Sequence, residues 1–251
     1  MDKNNSTMAD HWLKLLFRLL IAVNTQVNGE GKELKIGGFN AYVTGPNNSN
    51  KAVILASDVF GYNVTHLRLI ADKVGKVGYY TLVPDFFNGD PFVANMNMTD
   101  WIKNHPAEKG IEDAKPLIEA LKKKGIIKIG AAGFCWGAKL TVDLTTKKSP
   151  RVQAAVLLHP TFITNQDIAG VKVPISFLGG QNDTGGTTAS PTALQHYVEI
   201  LKAKRPKVPT NKIIYPGAQH GWTTKYNDTD TPAVERAAKA HQDMLNWDKN
   251  I

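Results

Sequence analysis

From about residue 31 onward, short apolar runs alternate with segments whose apolar positions recur every three or four residues. Residues 52–56 (Ala-Val-Ile-Leu-Ala) form an unbroken apolar run, the pattern of a strand covered on both faces. Within residues 63–77, Leu67, Ile70, Ala71, Val74 and Val77 fall on one helical face, and Gly78 closes the segment. A strand follows over 79–83, stopped by Pro84. The helix predicted over 111–121 carries Ile111, Ala114, Leu117, Ile118 and Leu121 on one face, with Pro116 implying a kink or a late start. The alternation continues with strands over 126–132, 154–158, 173–178 and 212–215 and helices over 138–146, 194–203 and 233–247. Apolar strands separated by amphipathic helices pair in parallel through right-handed crossovers, which predicts an α/β fold with a mostly parallel central sheet and helices on both faces. No internal repeat or linker divides the chain, so residues 31–251 read as a single domain.

Residues 1–30 do not share this pattern and read as an added N-terminal extension. The stretch from Trp12 to Val23 is apolar but interrupted by Lys14 and Arg18, whereas a secretory core of about 7–15 residues is free of charge. An amphipathic helix packed on the domain or a partner fits better than a signal or surface anchor. Asn-x-Ser/Thr sequons such as Asn47-Asn48-Ser49 arise readily in Asn-rich turns and do not establish secretion. The expected compartment is therefore the cytoplasm, with secretion or surface anchoring left open by the apolar segment.

Composition narrows the chemistry. The 251 residues are 42% hydrophobic and include one Cys, which excludes a disulfide framework and a multi-Cys zinc site. No run of about 18 uncharged apolar residues is present, so no membrane-spanning helix is expected. The net charge of +8 invites an anionic partner, but the basic residues cluster where helical patterns stop: Lys122 to Lys124, Lys147 and Lys148, and Lys202, Lys204 and Arg205. Cations there complement the negative end of the helix dipole. No basic tract is interleaved with aromatics, so no nucleic-acid partner is expected.

The segment Gly133-Phe134-Cys135-Trp136-Gly137 lies between a strand and a helix. A strand that turns sharply into a helix strains its middle residue and projects that side chain above the sheet, and glycines two positions away relieve the crowding. Cys135 would sit at a helix N-terminus, which stabilises a thiolate, and the Trp136 N–H would point where an oxyanion forms. A nucleophile of this kind needs a base and a group that orients the base, in the chain order nucleophile, acid, His. Asp183 follows the strand predicted over 173–178, and His220 follows the strand over 212–215, so all three lie just beyond C-terminal strand ends. The other histidines fit less well; His159 follows a strand but precedes the candidate acid and reads as structural.

With these motifs the sequence resembles the dienelactone hydrolase family of the α/β-hydrolase fold, in particular its plant members. The resemblance runs from about residue 33 to the C-terminus and is carried by Ser57-Asp58-Val59-Phe60-Gly61, Val83-Pro84-Asp85-Phe86-Phe87, the Gly133 to Gly137 turn, residues 179–183 and His220-Gly221-Trp222. It implies a triad of Cys135, His220 and Asp183. It also implies that Asp58 contacts the resting thiol, where bacterial members carry the longer Glu, and that Val59 supplies the second oxyanion-hole N–H beside Trp136. Bacterial members hold a substrate carboxylate with two arginines, and neither corresponding region here contains Arg; Lys225 is a weaker substitute. Phe60, Tyr62, Phe86, Phe87 and Trp222 are the expected aromatic pocket, with Trp136 beside them.

The expectation is a hydrolase that acts on an ester or lactone carbonyl through a thioester acyl-enzyme, with no cofactor and no metal. Its partner is a small-molecule substrate, and a monomer or homodimer is expected. Three alternatives stay open: a lyase, isomerase or cyclase using the same pocket, a small-ligand receptor, and a polysaccharide hydrolase, which would need two carboxylates about 5–10 Å apart.

Overall fold

The computed structural model describes residues 29–146, 151–184 and 188–248. The helix read into residues 1–30 therefore falls almost wholly outside the described residues. Eight strands form one sheet: β1 (Lys32–Ile36), β2 (Phe39–Thr44), β3 (Lys51–Ala56), β4 (Tyr80–Pro84), β5 (Lys128–Phe134), β6 (Ala154–Leu158), β7 (Ile175–Gly180) and β8 (Thr210–Tyr215). Their order is β1-β2-β4-β3-β5-β6-β7-β8, with β2 antiparallel to both neighbours and every other pairing parallel. The helices are α1 (Thr65–Lys76), α2 (Met98–Asn104), α3 (Gly110–Lys123), α4 (Trp136–Thr146), α5 (Asn165–Gly170), α6 (Pro191–Lys204) and α7 (Thr231–Asp248). This is the α/β-hydrolase architecture expected from the sequence.

Alternation along the central strands divides the core between the two faces of the sheet. On β3, Ala52, Ile54 and Ala56 pack on one side, with Leu117, Ile118 and Leu121 of α3 and Leu140 of α4. Val53 and Leu55 point to the other side, against Leu67, Ile70 and Val74 of α1 and Ala240 and Met244 of α7. Further along the first face, Leu157 and Phe177 meet Leu194, Tyr197 and Leu201 of α6. All five residues of β6 are buried, so β6 carries no polar alternation.

Several elements differ from the sequence expectation for physical reasons. The hairpin β1–β2 was absent from it: β1 reads Lys-Glu-Leu-Lys-Ile because it is an exposed edge, and Gly37 and Gly38 at φ 58° and 94° make its two-residue turn. Strand β5 starts two residues late, since Ile126 is buried ahead of the sheet and Ile127 is exposed. Strand β7 extends through Gly179 and Gly180, where a Cβ would press on Leu194 and on the Ala218 carbonyl. Helix α3 continues through Pro116 without interruption and is entered from a 3₁₀ turn at Ala107–Lys109. The short helices α2 and α5 were not expected either. Lys122 and Lys123 end α3, and Lys202 and Lys204 end α6, as their dipoles favour. Among the described residues, no helix is long and apolar enough to cross a membrane.

Candidate functional site

The site is assembled at the C-terminal ends of the parallel strands. β5 ends at Phe134 and α4 begins at Trp136, so one residue makes the whole turn. That residue, Cys135, has φ 51°, a left-handed conformation that a Cβ-bearing residue adopts only under constraint. The two flanking glycines show the constraint. A Cβ on Gly137 would overlap the carbonyl oxygens of Ala56 and Ser57, and one on Gly133 would overlap the Gly137 carbonyl and the Thr141 hydroxyl. The Cys135 N–H donates to the Leu158 carbonyl at 3.1 Å, which fixes the turn to β6.

Asp183 follows β7 and is buried, while His220 follows β8 and is partly exposed. The Nδ1 of His220 lies 3.0 and 3.1 Å from the two Asp183 carboxylate oxygens. Burial works against the imidazolium, but hydrogen bonds to Asp183 and to the Cys135 side chain, together with the charges of both, outweigh it. The pKa of His220 is pushed up to about 10. The loop carrying His220 is anchored from below: the Trp222 ring packs on Tyr215 and His159 at 5.2 and 5.5 Å between centroids. Beneath it, His159 is fully buried with Nε2 2.7 Å from the Thr223 hydroxyl. Burial drives its pKa well below the usual imidazole value, with the neighbouring His220 charge adding to the effect.

Asp58 follows β3 and is also buried. Its Oδ1 accepts from the Phe60 N–H at 2.9 Å and its Oδ2 from the Thr224 hydroxyl at 3.0 Å. Burial raises its pKa, opposed by the Phe60 N–H, the Lys225 charge and the Thr224 hydroxyl. The Thr161 hydroxyl also lies beside the Cys135 sulfur, 3.7 Å away.

Cys135, His220, Asp58 and Val59 share a cavity of about 250 Å³. Phe60 lines it, with the Lys225 ammonium over its ring at 2.9 Å from the centroid. The rest of the wall is largely apolar and comes from Met98 and Ile102 of α2, from Thr161 and Phe162, and from Gly221. The remaining expected pocket aromatics are not brought there. Phe86 packs on Phe39, and Phe87 lies among Trp101, Trp136 and His105, both rings buried in the core. Trp222 is turned inward as described above, and the Trp136 indole donates to the His105 carbonyl. Tyr62 opens onto a separate, more polar depression with Asn40 and Asp85. Sequence reasoning missed Thr161 and Phe162, although their position just after a central strand beside the Cys135 turn was a usable signal. Met98 and Ile102 gave no such signal, because α2 was itself unrecognised.

Comparison with known proteins sets this geometry in context. The dienelactone hydrolase family model matches residues 39–251. An endo-1,3;1,4-beta-D-glucanase from Zea mays is 46% identical over 173 residues, covering 69% of this chain and 55% of that protein, so the match spans about half of the maize relative. The carboxymethylenebutenolidase homolog of Homo sapiens is 30% identical over 229 residues, covering 88% of this chain and 91% of its own. Among solved structures, the Pyrococcus furiosus esterase Pf2001 is similar with a TM-score of 0.63 at 18% identity, over 90% of this chain and 98% of that one. At that identity the likeness concerns the fold alone.

Proposed function

The chain belongs to the dienelactone hydrolase family, and on that premise we propose that it hydrolyses an ester or lactone carbonyl through Cys135, His220 and Asp183, by way of a thioester on Cys135. The observation that carries this reading is the placement of the three groups around one cavity: His220 hydrogen-bonds the Asp183 carboxylate through Nδ1, and His220 and Cys135 line the same cavity. Asp183 holds the imidazole in one tautomer and orientation, and stabilises its protonated form.

In the proposed reaction the sulfur anion of Cys135 adds to the carbonyl carbon, and the carbonyl electron pair moves to oxygen. The N–H groups of Val59 and Trp136 receive that oxyanion. Collapse of the adduct forms the thioester and expels the alcohol oxygen, which takes its proton from His220. His220 then removes a proton from water as the water attacks the thioester, and the sulfur leaves as the anion that began the cycle. Because a thiolate leaves more readily than an ordinary alkoxide, the first adduct reverts unless the alcohol is a good leaving group. The fitting substrates are activated esters such as enol lactones. Asp58 is a tuning group: its charge disfavours negative charge on the sulfur, and its engagement by Phe60 and Thr224 moderates that effect.

The maize relative brings a second reading, glucan hydrolysis. That chemistry needs one carboxylic acid and one carboxylate, both facing the scissile bond. Asp183 is bound to His220, and Asp58 is held through both oxygens, which favours the acyl-transfer reading. An ester and lactone panel, run beside a mixed-linkage glucan on wild type, Cys135→Ser and His220→Ala, tests both. Ester hydrolysis is expected to fall by at least about 10³-fold in the His220 variant, with no glucan cleavage in any protein. Glucan cleavage that survives in Cys135→Ser would replace the proposal.

A further inference from the structure

β6 ends at Leu158, and the next four residues turn over the sheet beside Cys135. His159 and Phe162, at φ 39° and 61°, place this turn in left-handed backbone that neither residue adopts freely. Between them, Thr161 is tied twice to the same residue. Its N–H donates to the Cys135 carbonyl at 3.3 Å, and its Oγ1 lies 3.7 Å from the Cys135 sulfur. Thr161 is buried at the cavity wall. The carboxylate expected beside the sulfur, Asp58, is instead occupied by the Phe60 N–H and the Thr224 hydroxyl.

We propose that Thr161 is a further catalytic residue, whose hydroxyl donates a hydrogen bond to the Cys135 sulfur while His220 holds the proton. This rests on the reading of Cys135 as the nucleophile. An anionic sulfur only accepts, so the hydroxyl is then the donor, and a hydrogen bond to the charged form favours that form and fixes its direction. The hydrogen stays on Oγ1 throughout. As the carbon–sulfur bond forms, the sulfur loses its charge and the hydrogen bond weakens, so its work lies in presenting the nucleophile. The second tie, from the Thr161 N–H to the Cys135 carbonyl, keeps the hydroxyl in register with the sulfur even though the two residues belong to different loops.

The chain contains one Cys, so alkylation by iodoacetamide reports on Cys135 alone. The rate is measured at pH 6 and pH 9 for wild type, Thr161→Val, Thr161→Ser and His220→Ala. Thr161→Val keeps the shape and removes the donor; it is expected to slow alkylation about 10-fold at pH 6 and less than about 3-fold at pH 9, above the pKa of about 8.5 of a free thiol. Thr161→Ser is expected to restore the wild-type rates to within about 3-fold. Equal slowing at both pH values without rescue by Ser, or no slowing in Val, overturns the role of Thr161. If Val behaves as wild type while His220→Ala is slow, only this inference fails. If His220→Ala also behaves as wild type, the nucleophile reading itself fails. Should Thr161→Val not fold, Thr161→Ala is read in the same way.

Discussion

His220 and Asp183, 37 positions apart, meet with Nδ1 of the imidazole 3.0 and 3.1 Å from the two carboxylate oxygens. The carboxylate is buried while the imidazole keeps a partly exposed edge towards the cavity. That asymmetry suits an orienting acid and a working base. Asp183→Asn keeps the shape but replaces an acceptor by an amide that supports the wrong tautomer. Ester hydrolysis is expected to fall by about 10²–10⁴-fold with little change in melting temperature. Steady-state kinetics beside thermal denaturation check this, and near wild-type turnover would remove Asp183 from the mechanism.

A second prediction concerns acid. His241 is fully buried, its Nε2 donates to the Thr223 carbonyl at 2.9 Å, and Lys73 lies 3.3 Å from its Nδ1. Burial, reinforced by the Lys73 charge, lowers its pKa to about 3. Between pH 6.5 and 3 the unfolded chain therefore binds a proton that the folded chain refuses, so stability is lost as pH falls through this window. The cost from His241 alone is about 2 kcal/mol at pH 5, and His159 adds in the same direction. Denaturant unfolding at pH 7 and pH 5 measures the slope. His241→Gln should be less stable at pH 7 yet lose distinctly less on acidification.

A third prediction tests the strained turn. Gly137→Ala puts a methyl group against two fixed backbone carbonyls, those of Ala56 and Ser57, which have no rotamer by which to retreat. The expected loss is more than about 3 kcal/mol, or failure to fold. Urea unfolding decides it; a variant within about 1 kcal/mol of wild type would mean that the turn relaxes easily.

A fourth concerns specificity. Met98, Ile102 and Phe162 give the cavity its apolar side. Ile102→Ala should lower kcat/KM for bulky aromatic or branched esters by about 10-fold while leaving acetyl esters within about 2-fold. Equal losses on both would place Ile102 outside the substrate contact.

Much of this site was legible because its members are fixed by topology. Cys135, Asp183 and His220 follow three parallel strands, and the strand pattern was readable from apolar runs such as 52–56 and 154–158. The pocket wall was not legible, because it depends on side-chain direction. Phe86 and Phe87 directly follow β4 and could be placed near the sheet end, but only packing on Phe39 and Trp101 shows that they face the core. Trp222 is drawn inward by Tyr215, at the end of the preceding strand, and by His159, which is remote in sequence. The hairpin β1–β2 was missed for the opposite reason, since its first strand is polar where an edge meets solvent.

The central claim is a covalent acyl group on one sulfur. Rapid mixing with an activated ester, acid quench and intact-mass spectrometry followed by peptide mapping read it directly, with Cys135→Ala as the control. The account predicts a single acyl adduct on the peptide containing Cys135, formed and consumed at rates consistent with turnover, and neither adduct nor turnover in the variant. Turnover that persists in Cys135→Ala would contradict it.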